Sequence, residues 1–287
     1  MKMAAIEPSQ LTIKSEGADL IGTYYAPGGR ALANLVLHGA TGVPQRYYSA
    51  FANWAASRGV GVLTYDYRDF GASQTRPVKQ SRATFADWAI HDQAAAEKAI
   101  MRIAPQGPIW LLGHSLGGLT FAFRKHASRV ERITTIGAGF AHVGDHPWSY
   151  RPLAIAFWYG PGPLSAKLAG YLPGKLLLLG ADLPAGVYWQ WRKWCTSRSF
   201  FNDDIGRSLP EPDFCMPGPE FRMLTMDDDV VVPPSAVLRY RGAFPEGRAA
   251  FRILKREEFN LPSLKHIEVM SRRAQAAWPA ILGASES

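Results

Sequence analysis

Long hydrophobic runs are missing from this sequence of 287 residues. No uninterrupted apolar stretch reaches the roughly 20 residues that a membrane-spanning helix needs, so stable insertion into a membrane is not expected. The first eight residues include Lys2 and Glu7 and hold no apolar signal core. We therefore expect a protein of the cytoplasm.

Cysteine is scarce, with only Cys195 and Cys215. A chain of this size can build an adequate core without disulfides, so we expect free thiols in a reducing compartment. Blocks of one charge sign are also absent, although the formal net charge is +8. The densest basic stretch, residues 248–256, is interrupted by apolar residues, as in a strand with one solvent-facing side. A basic enzyme is therefore favoured over a protein that binds nucleic acid.

Signatures of phosphate and metal binding are missing as well. Neither a G-x-G-x-x-G motif nor a Walker lysine follows a predicted strand. His142, Asp145 and His146 stand close together in the sequence, but their spacing matches no standard zinc pattern. We therefore expect no cofactor and no bound metal.

What the sequence does contain is an alternation of short apolar runs and helical periodicity. A hairpin with Gly17 at its turn comes first. Runs of strand length follow at residues 32–37, 60–67, 108–112, 130–136, 221–226 and 250–255. Helical spacing occurs at residues 47–57, 85–103, 116–127, 235–244 and 268–282. This order predicts an α/β fold with a mostly parallel, doubly wound sheet.

The alternation breaks between residues 141 and 219, where five tryptophans stand among many prolines and glycines. Such a segment is too apolar for a disordered linker. An insertion after the carboxyl end of a strand also lies where open α/β sheets bind ligands. We therefore predict a core formed by residues 1–140 and 220–287, with residues 141–219 as a helical cap. A structural subdomain without substrate contact is the alternative.

The segment Gly113-His114-Ser115-Leu116-Gly117 matches G-x-S-x-G between a predicted strand and a predicted helix. In this motif the serine occupies a tight, strained turn that projects its hydroxyl clear of the sheet. Side chains at positions 113 and 117 would collide with neighbouring backbone. The context predicts that Ser115 is a nucleophile.

A serine hydroxyl needs a base to remove its proton. Of the seven histidines, only His266 lies in a loop after the last predicted strand. The others lie in glycine-rich loops, on predicted helices or just before the predicted cap. In the hydrolase family whose serine motif this segment resembles, the base follows the last strand, so the resemblance implies that His266 is the base.

An acid that orients the imidazole is expected just after the strand at residues 221–226. The chain there has Asp227, Asp228 and Asp229, followed by three valines and two prolines. The proline pair favours Asp229 as the acid. Asp228 is the alternative, because a shift of one residue in the loop is not visible in the sequence, and Asp145 is a weaker one.

Acyl transfer also requires donors for the oxyanion of the tetrahedral intermediate. The backbone N–H of Leu116 is the first predicted donor. The second predicted donor is the backbone N–H of Ala40, in the glycine-rich loop after the strand at residues 32–37, with the backbone N–H of Thr41 as the alternative. The side chain of His38 in this loop is interpreted as structural.

These residues resemble bacterial serine hydrolases of the α/β-hydrolase superfamily, in the lipase/esterase and monoacylglycerol-lipase-like branch. Landmarks of the resemblance are residues 37–42, 66–68, 113–118, 227–234 and His266. The segments at 170–175 and 182–187 are similar to a subgroup of predicted bacterial hydrolases. Asp69 departs from the pattern, because the family usually has glycine there, and so does Ile267-Glu268 after the histidine.

The resemblance implies a carboxylesterase-like or lipase-like enzyme that cleaves an ester through an acyl-enzyme on Ser115. The aromatic cap indicates a small-molecule substrate with an apolar acyl or aryl group. Amide or peptide hydrolysis and acyl transfer by the same residues are alternatives. A non-catalytic binding module is a third reading, which the complete set of Ser115, Asp229 and His266 disfavours. The sequence leaves the oligomeric state open.

Overall fold

The computed structural model describes residues 7–177 and 179–283. Eight strands in this part of the chain form one sheet, and two short strands pair with each other. In chain order the strands are β1 Ser9–Ser15, β2 Ala18–Tyr25, β3 Ala33–His38, β4 Val60–Tyr65, β5 Ile109–His114, β6 Val130–Ile136, β7 Tyr171–Leu172, β8 Leu183–Pro184, β9 Glu220–Met226 and β10 Ala250–Leu254.

The large sheet has the order β1-β2-β4-β3-β5-β6-β9-β10. β1 and β2 form the predicted hairpin, with Gly17 at φ 72° in its turn, and β2 also runs antiparallel to β4. All pairs from β4 across to β10 are parallel. The chain passes from β3 to β4 on one side and later returns to β5 on the other. Such a reversal opens a crevice at the carboxyl ends of the strands.

Helices cover both faces of this sheet. The helices on the sheet are α1 Ser49–Ala56, α2 Gln93–Ile103, α6 Pro234–Arg241 and α7 Trp278–Leu282. The helices of the segment between residues 141 and 219 are α3 Arg151–Tyr159, α4 Pro161–Ala169 and α5 Ala185–Thr196. Alternate strand residues face opposite sides, so Val36 joins the apolar cluster that contains α2 and α6. Leu35 and Leu37 join the cluster that contains α1 and α7. The predicted doubly wound architecture is confirmed.

The predicted helix over residues 116–127 is wrong. Two short 3₁₀ turns, Ser115–Gly118 and Phe121–Phe123, replace it. Gly117 and Gly118 disfavour a helix start, and residues 119–123 are all buried, which leaves no solvent face for an amphipathic helix. The side chains of Arg124 and His126 bond instead to the buried carboxylate of Glu97, at 2.8 and 3.1 Å.

The predicted terminal helix is also shorter than expected. Two 3₁₀ turns, Glu268–Met270 and Arg272–Ala277, precede α7. Pro279 lies in the first turn of α7. Proline starts a helix well but cannot donate the backbone bond that would continue one.

Three helices and the β7–β8 pair occupy the segment between residues 141 and 219. Aromatic side chains of α3 and α5 pack against each other, with the Trp158 and Trp191 rings 4.9 Å apart. Both cysteines are free thiols, Cys195 buried and Cys215 exposed. Within the described ranges, no helix has both the length and the apolar character required to cross a bilayer.

Candidate active site

Ser115 lies directly after β5 in the strained backbone that its motif predicts, with φ 55°. This left-handed conformation is costly for a residue with a Cβ atom and persists where the surroundings enforce it. A Cβ on Gly113 would lie 2.4 Å from the Gly118 Cα, and one on Gly117 would lie 2.2 Å from the His38 carbonyl oxygen. The predicted need for glycine at both positions is confirmed.

Ser115, His266 and Asp229 form a hydrogen-bonded row at the carboxyl edge of the sheet. His266 Nε2 lies 2.9 Å from Ser115 Oγ, and His266 Nδ1 lies 2.7 Å from Asp229 Oδ2. A carboxylate can only accept, so a neutral imidazole carries its proton on Nδ1 and leaves Nε2 to accept from the serine hydroxyl. This is the tautomer that general-base chemistry on a serine requires.

Three consecutive acids follow β9, and each has a different partner. Asp229 Oδ1 accepts the N–H groups of Val231 and Val232 at 2.9 and 2.8 Å, which fixes the carboxylate that faces His266. Asp228 accepts the N–H groups of Leu264 and Lys265 at 3.0 and 2.8 Å. Asp228 therefore holds the loop that carries His266 and does not contact the imidazole.

Asp227, the first of the three acids, accepts the N–H of Arg256 at 3.2 Å. Asp145, the weaker alternative acid, is bound to Arg198 at 2.8 Å and to Arg239. Both residues are therefore engaged away from His266. Of the four acids that the sequence suggests, Asp229 is the one that the structure brings to the imidazole.

The Ala40 N–H, expected as the second oxyanion donor, is engaged elsewhere. It donates to the hydroxyl of the buried Tyr48 at 2.8 Å. The Tyr48 hydroxyl lies 3.0 Å from His114 Nδ1, and His114 Nε2 lies 2.8 Å from the His266 carbonyl oxygen. Burial lowers the pKa of His114 to about 3, with a smaller lowering effect from the neighbouring His266, so the His114 imidazole is neutral at neutral pH.

The donor and acceptor roles in this series of hydrogen bonds follow from the His266 carbonyl oxygen at its end. The carbonyl can only accept, so His114 carries its proton on Nε2 and its Nδ1 accepts the Tyr48 O–H. Each group in the chain has a partner, which is the stable arrangement for buried polar atoms. This series of hydrogen bonds connects the loop after β3 to the backbone of His266. It also leaves the Ala40 N–H unavailable to a ligand.

Thr41, whose backbone N–H is the alternative donor, also carries a side-chain hydroxyl. Its Oγ1 atom is buried and has no hydrogen-bond partner among the described residues. Thr41 lines the same cavity as Ser115, Leu116 and His266. A buried, unpaired hydroxyl is costly. Because Oγ1 itself has no surface open to the cavity, it reaches a ligand there only after rotation about the Cα–Cβ bond.

Gly137, directly after β6, is a site residue that the sequence does not reveal. It has φ 59°, and a Cβ there would lie 3.1 Å from His266 Nδ1 and 3.3 Å from Asp229 Oδ2. Any side chain at this position would press on the His266–Asp229 hydrogen bond. The signal in the sequence is only a glycine after a buried strand, which is common in such folds.

A cavity of about 340 Å³ opens above Ser115 and His266. Its walls are mainly apolar and come largely from the segment between residues 141 and 219. The contributing side chains of that segment are Ala141, His146, Tyr150, Leu153, Ala154, Phe157, Trp158, Leu177, Leu179, Trp191, Cys195 and Phe200. A second cleft of about 730 Å³, near Arg68 and Asp87, is polar and more open, and lies away from Ser115.

Two further residues named from the sequence, His38 and Asp69, have structural roles. His38 is buried beside Tyr65, whose hydroxyl is 2.7 Å from Nδ1, and burial lowers the pKa of His38 to about 4. Asp69 stands where the family usually has glycine and has φ 55°. Aspartate tolerates this conformation better than most residues, so the backbone keeps the shape that glycine would give.

Comparison with known proteins agrees with this architecture. A family model described as alpha/beta hydrolase fold matches residues 35–159. No curated protein matches the chain. A serine hydrolase without a lid from Xanthomonas campestris is similar in structure, with 12% identity, coverage of 99% of this chain and 97% of that one, and a TM-score of 0.56.

Two other solved structures are similar over nearly the whole chain. The enol-lactonase of Burkholderia xenovorans has 17% identity, coverage of 95% of this chain and 98% of that one, and a TM-score of 0.59. An alpha-beta serine hydrolase homologue from Coxiella burnetii has 13% identity, coverage of 98% and 99%, and a TM-score of 0.55. The chain therefore has the α/β-hydrolase fold.

Proposed function

We propose that this chain of α/β-hydrolase fold is a serine hydrolase that cleaves carboxylic esters with an apolar acyl or aryl group. The observation that carries the proposal is the row of Ser115, His266 and Asp229, hydrogen-bonded at 2.9 and 2.7 Å at the base of an apolar cavity. A binding protein has no need of this complete set.

In the first half of the reaction, His266 Nε2 takes the proton of Ser115 as Oγ attacks the carbonyl carbon. The carbonyl π electrons move to the oxygen, which becomes an oxyanion. The N–H of Leu116 donates to it, and so does the hydroxyl of Thr41 after rotation about its Cα–Cβ bond. Ala40 is not retained in this role, because its N–H is held by Tyr48. Each such donor is worth about 3 kcal/mol in the transition state.

The oxyanion then collapses and expels the alcohol, which takes the proton from His266. This leaves an acyl-enzyme on Ser115. Water enters, loses a proton to His266 and attacks the acyl carbon, and the second collapse returns that proton to Ser115 as the acid leaves. Asp229 orients His266 and stabilises the imidazolium in both halves.

We also propose that residues 1–140 and 220–287 form a core and residues 141–219 form a cap. Support comes from the cavity wall, since Trp158, Trp191 and Phe157 of the cap share it with Ser115 of the core. An apolar wall of this kind binds the acyl chain and excludes water from the ester. We also propose that the enzyme is cytoplasmic, because free thiols such as Cys195 and Cys215 are typical of a reducing compartment.

The experiment is active-site labelling with a fluorophosphonate, run beside hydrolysis of p-nitrophenyl butyrate. Wild type should label and turn over the ester, and Ser115→Ala should do neither while keeping a native circular dichroism spectrum. Ser73→Ala is a matched control, because Ser73 is a buried serine outside the cavity. A folded Ser115→Ala protein with wild-type labelling and turnover would refute the proposal.

A further inference from the structure

Two polar side chains stand in the mainly apolar wall of the cavity above Ser115. They are His146 and Tyr150, which come early in the segment between residues 141 and 219 and both line the cavity. His146 is 4% exposed, and Tyr150 is partly buried. Neither side chain has a part in the ester hydrolysis described above. Polar groups in such a wall usually fix the orientation of a ligand.

The hydrogen bond made by His146 fixes which of its ring nitrogens carries the proton. Nδ1 lies 3.1 Å from the carbonyl oxygen of Val230. A carbonyl can only accept, so Nδ1 is protonated. Burial lowers the pKa of His146, so the neutral imidazole predominates at neutral pH. The other ring nitrogen, Nε2, is therefore a hydrogen-bond acceptor.

This acceptor is free in the part of the chain that the structure describes. No residue in the ranges 7–177 and 179–283 donates a hydrogen bond to His146 Nε2. Unlike Thr41 Oγ1, the Nε2 atom is not fully enclosed by protein atoms. Because the ring lines the cavity, this nitrogen is available to a ligand. An unpaired acceptor in apolar surroundings is costly, and a donor group on the ligand would remove that cost.

Tyr150 packs against the His146 ring and adds a second polar atom. The two rings meet edge to face, with their centroids 5.2 Å apart. The Tyr150 hydroxyl likewise has no hydrogen-bond partner among the described residues. Burial raises the pKa of Tyr150, so the phenol stays protonated and can donate. The pair therefore offers a ligand one acceptor and one donor.

The chemistry of this pair favours a neutral hydroxyl group. A hydroxyl can donate to His146 Nε2 and can accept from Tyr150. A carboxylate has no proton to give to Nε2, and the negative charge of Asp229 acts on the same imidazole. An ammonium group can donate, but its transfer from water into a mainly apolar cavity costs far more than that of a hydroxyl.

We propose that His146 and Tyr150 form a subsite for a hydroxyl group on the acyl chain, so that the preferred substrates are hydroxyacyl esters. This inference rests on the proposed function, in which the segment between residues 141 and 219 binds the acyl group. The role of the pair is to bind and orient the substrate. Neither side chain takes a proton from the reacting atoms.

The test compares ethyl hexanoate with ethyl 3-hydroxyhexanoate and ethyl 6-hydroxyhexanoate, each followed by titration of the released acid. In a cavity without such a subsite, the hydroxyl should lower kcat/KM about tenfold, because it loses its hydrogen bonds to water. Wild type should instead hydrolyse at least one of the two hydroxy esters as well as ethyl hexanoate, or better. The position of the hydroxyl in that ester gives the depth of the subsite.

His146→Asn is the sharpest variant for this test. The asparagine amide can take the place of Nδ1 and still donate to Val230, but it has no atom at the position of Nε2. The ratio of kcat/KM for the preferred hydroxy ester to that for ethyl hexanoate should fall about tenfold. The ratio is the readout, because damage to the structure would lower the rate on both esters alike.

Tyr150→Phe removes only the second polar atom and keeps the ring that packs against His146. It should lower the same ratio about fivefold. Tyr159→Phe is the matched control, since Tyr159 is 55% exposed on α3 and does not line the cavity. The control should keep the wild-type ratio. Native circular dichroism spectra confirm that each variant is folded.

Binding to Ser115→Ala separates this inference from the proposed function. Calorimetric titration of this variant with the same esters measures affinity without turnover. A preference for a hydroxy ester that is lost when His146→Asn is added would support the subsite, even if the wild type hydrolysed none of the esters. In that case only the hydrolase function would be refuted.

Three results would overturn the subsite. One is a tenfold preference for ethyl hexanoate over both hydroxy esters in binding and turnover. Another is a hydroxy ester ratio that is the same in His146→Asn and Tyr159→Phe. The third is tighter binding of ethyl 6-aminohexanoate than of either hydroxy ester, which would show that the cavity wall selects a cation.

Discussion

The carboxyl edge of the sheet and the cap meet at one cavity but are held together in different ways. At the edge, buried polar groups form an almost complete hydrogen-bond network, in which Tyr48, His114, Asp228 and Asp229 each have defined partners. In the cap, apolar surfaces and aromatic rings such as Trp158 and Trp191 make most of the contacts near the cavity.

The two kinds of contact suit two different tasks, namely positioning the reacting atoms and binding the acyl group. Hydrogen bonds are directional, so the network at the edge fixes the atoms that would react. Apolar contacts depend on area more than on direction, so the cap can accept acyl groups of different lengths. We therefore expect substitutions at the edge to change the rate of reaction on every ester. Substitutions in the cap should change the preference among esters.

The largest difference in kcat is expected between substitutions of two neighbouring acids at the edge, Asp229 and Asp228. Asp229→Asn should lower kcat about ten-thousandfold, because His266 loses the partner that fixes its tautomer. Asp228→Asn should lower it only about tenfold, since one of the two hydrogen bonds to the His266 loop is lost and the other is no longer charge-assisted, while the imidazole keeps Asp229. Steady-state hydrolysis of p-nitrophenyl butyrate measures both. If Asp228→Asn were the more damaging change, the orienting acid would lie one residue earlier.

A smaller effect is expected at Thr41, also on the edge. Thr41→Val keeps the shape of the side chain but removes the hydroxyl, and kcat should fall about a hundredfold as one oxyanion donor is lost. Thr41→Ser restores the donor and should recover most of the rate. A rise in KM with unchanged kcat would show that the hydroxyl binds only the ground state. Wild-type kinetics in Thr41→Val would remove Thr41 from the reaction.

The smallest of the three effects on kinetics is expected for substitutions in the cap. In wild type, kcat/KM should rise about fourfold for each methylene from acetate towards hexanoate esters, because each buried methylene contributes about 0.8 kcal/mol. Trp191→Ala should flatten that rise while changing the acetate rate little, since Trp191 lines the cavity. Trp189→Ala is the control, because Trp189 lies outside the cavity wall. Equal slopes in all three proteins would contradict an acyl-binding role for the cap.

The sequence predicts features that depend on local patterns. Most strands and helices, and the tight turn at Ser115, follow from periodicity and glycine spacing. The helix expected over residues 116–127 fails because the chain there is buried on all sides, which is a tertiary property. The fold class is thus visible in the sequence, although one of its helices is not formed.

The sequence predicts only those residues of the site whose position relative to the strands follows a fixed order along the chain. Ser115, Asp229 and His266 follow strands in a fixed order, and the structure brings them together. Tyr48 and Gly137 cannot be identified from the sequence, because Tyr48 meets His114 across 66 residues and Gly137 meets His266 and Asp229 only in the folded chain. The engagement of the Ala40 N–H by Tyr48 is likewise a three-dimensional event that no motif encodes.

The most direct test of the central claim is to trap the acyl-enzyme. Wild type would be mixed with excess p-nitrophenyl butyrate, quenched in acid within the first turnovers and measured by intact mass and peptide mapping. We predict a butyryl adduct on the peptide that contains Ser115, and none in Ser115→Ala. Ester turnover with an adduct on another residue, or with unchanged turnover in Ser115→Ala, would contradict the account.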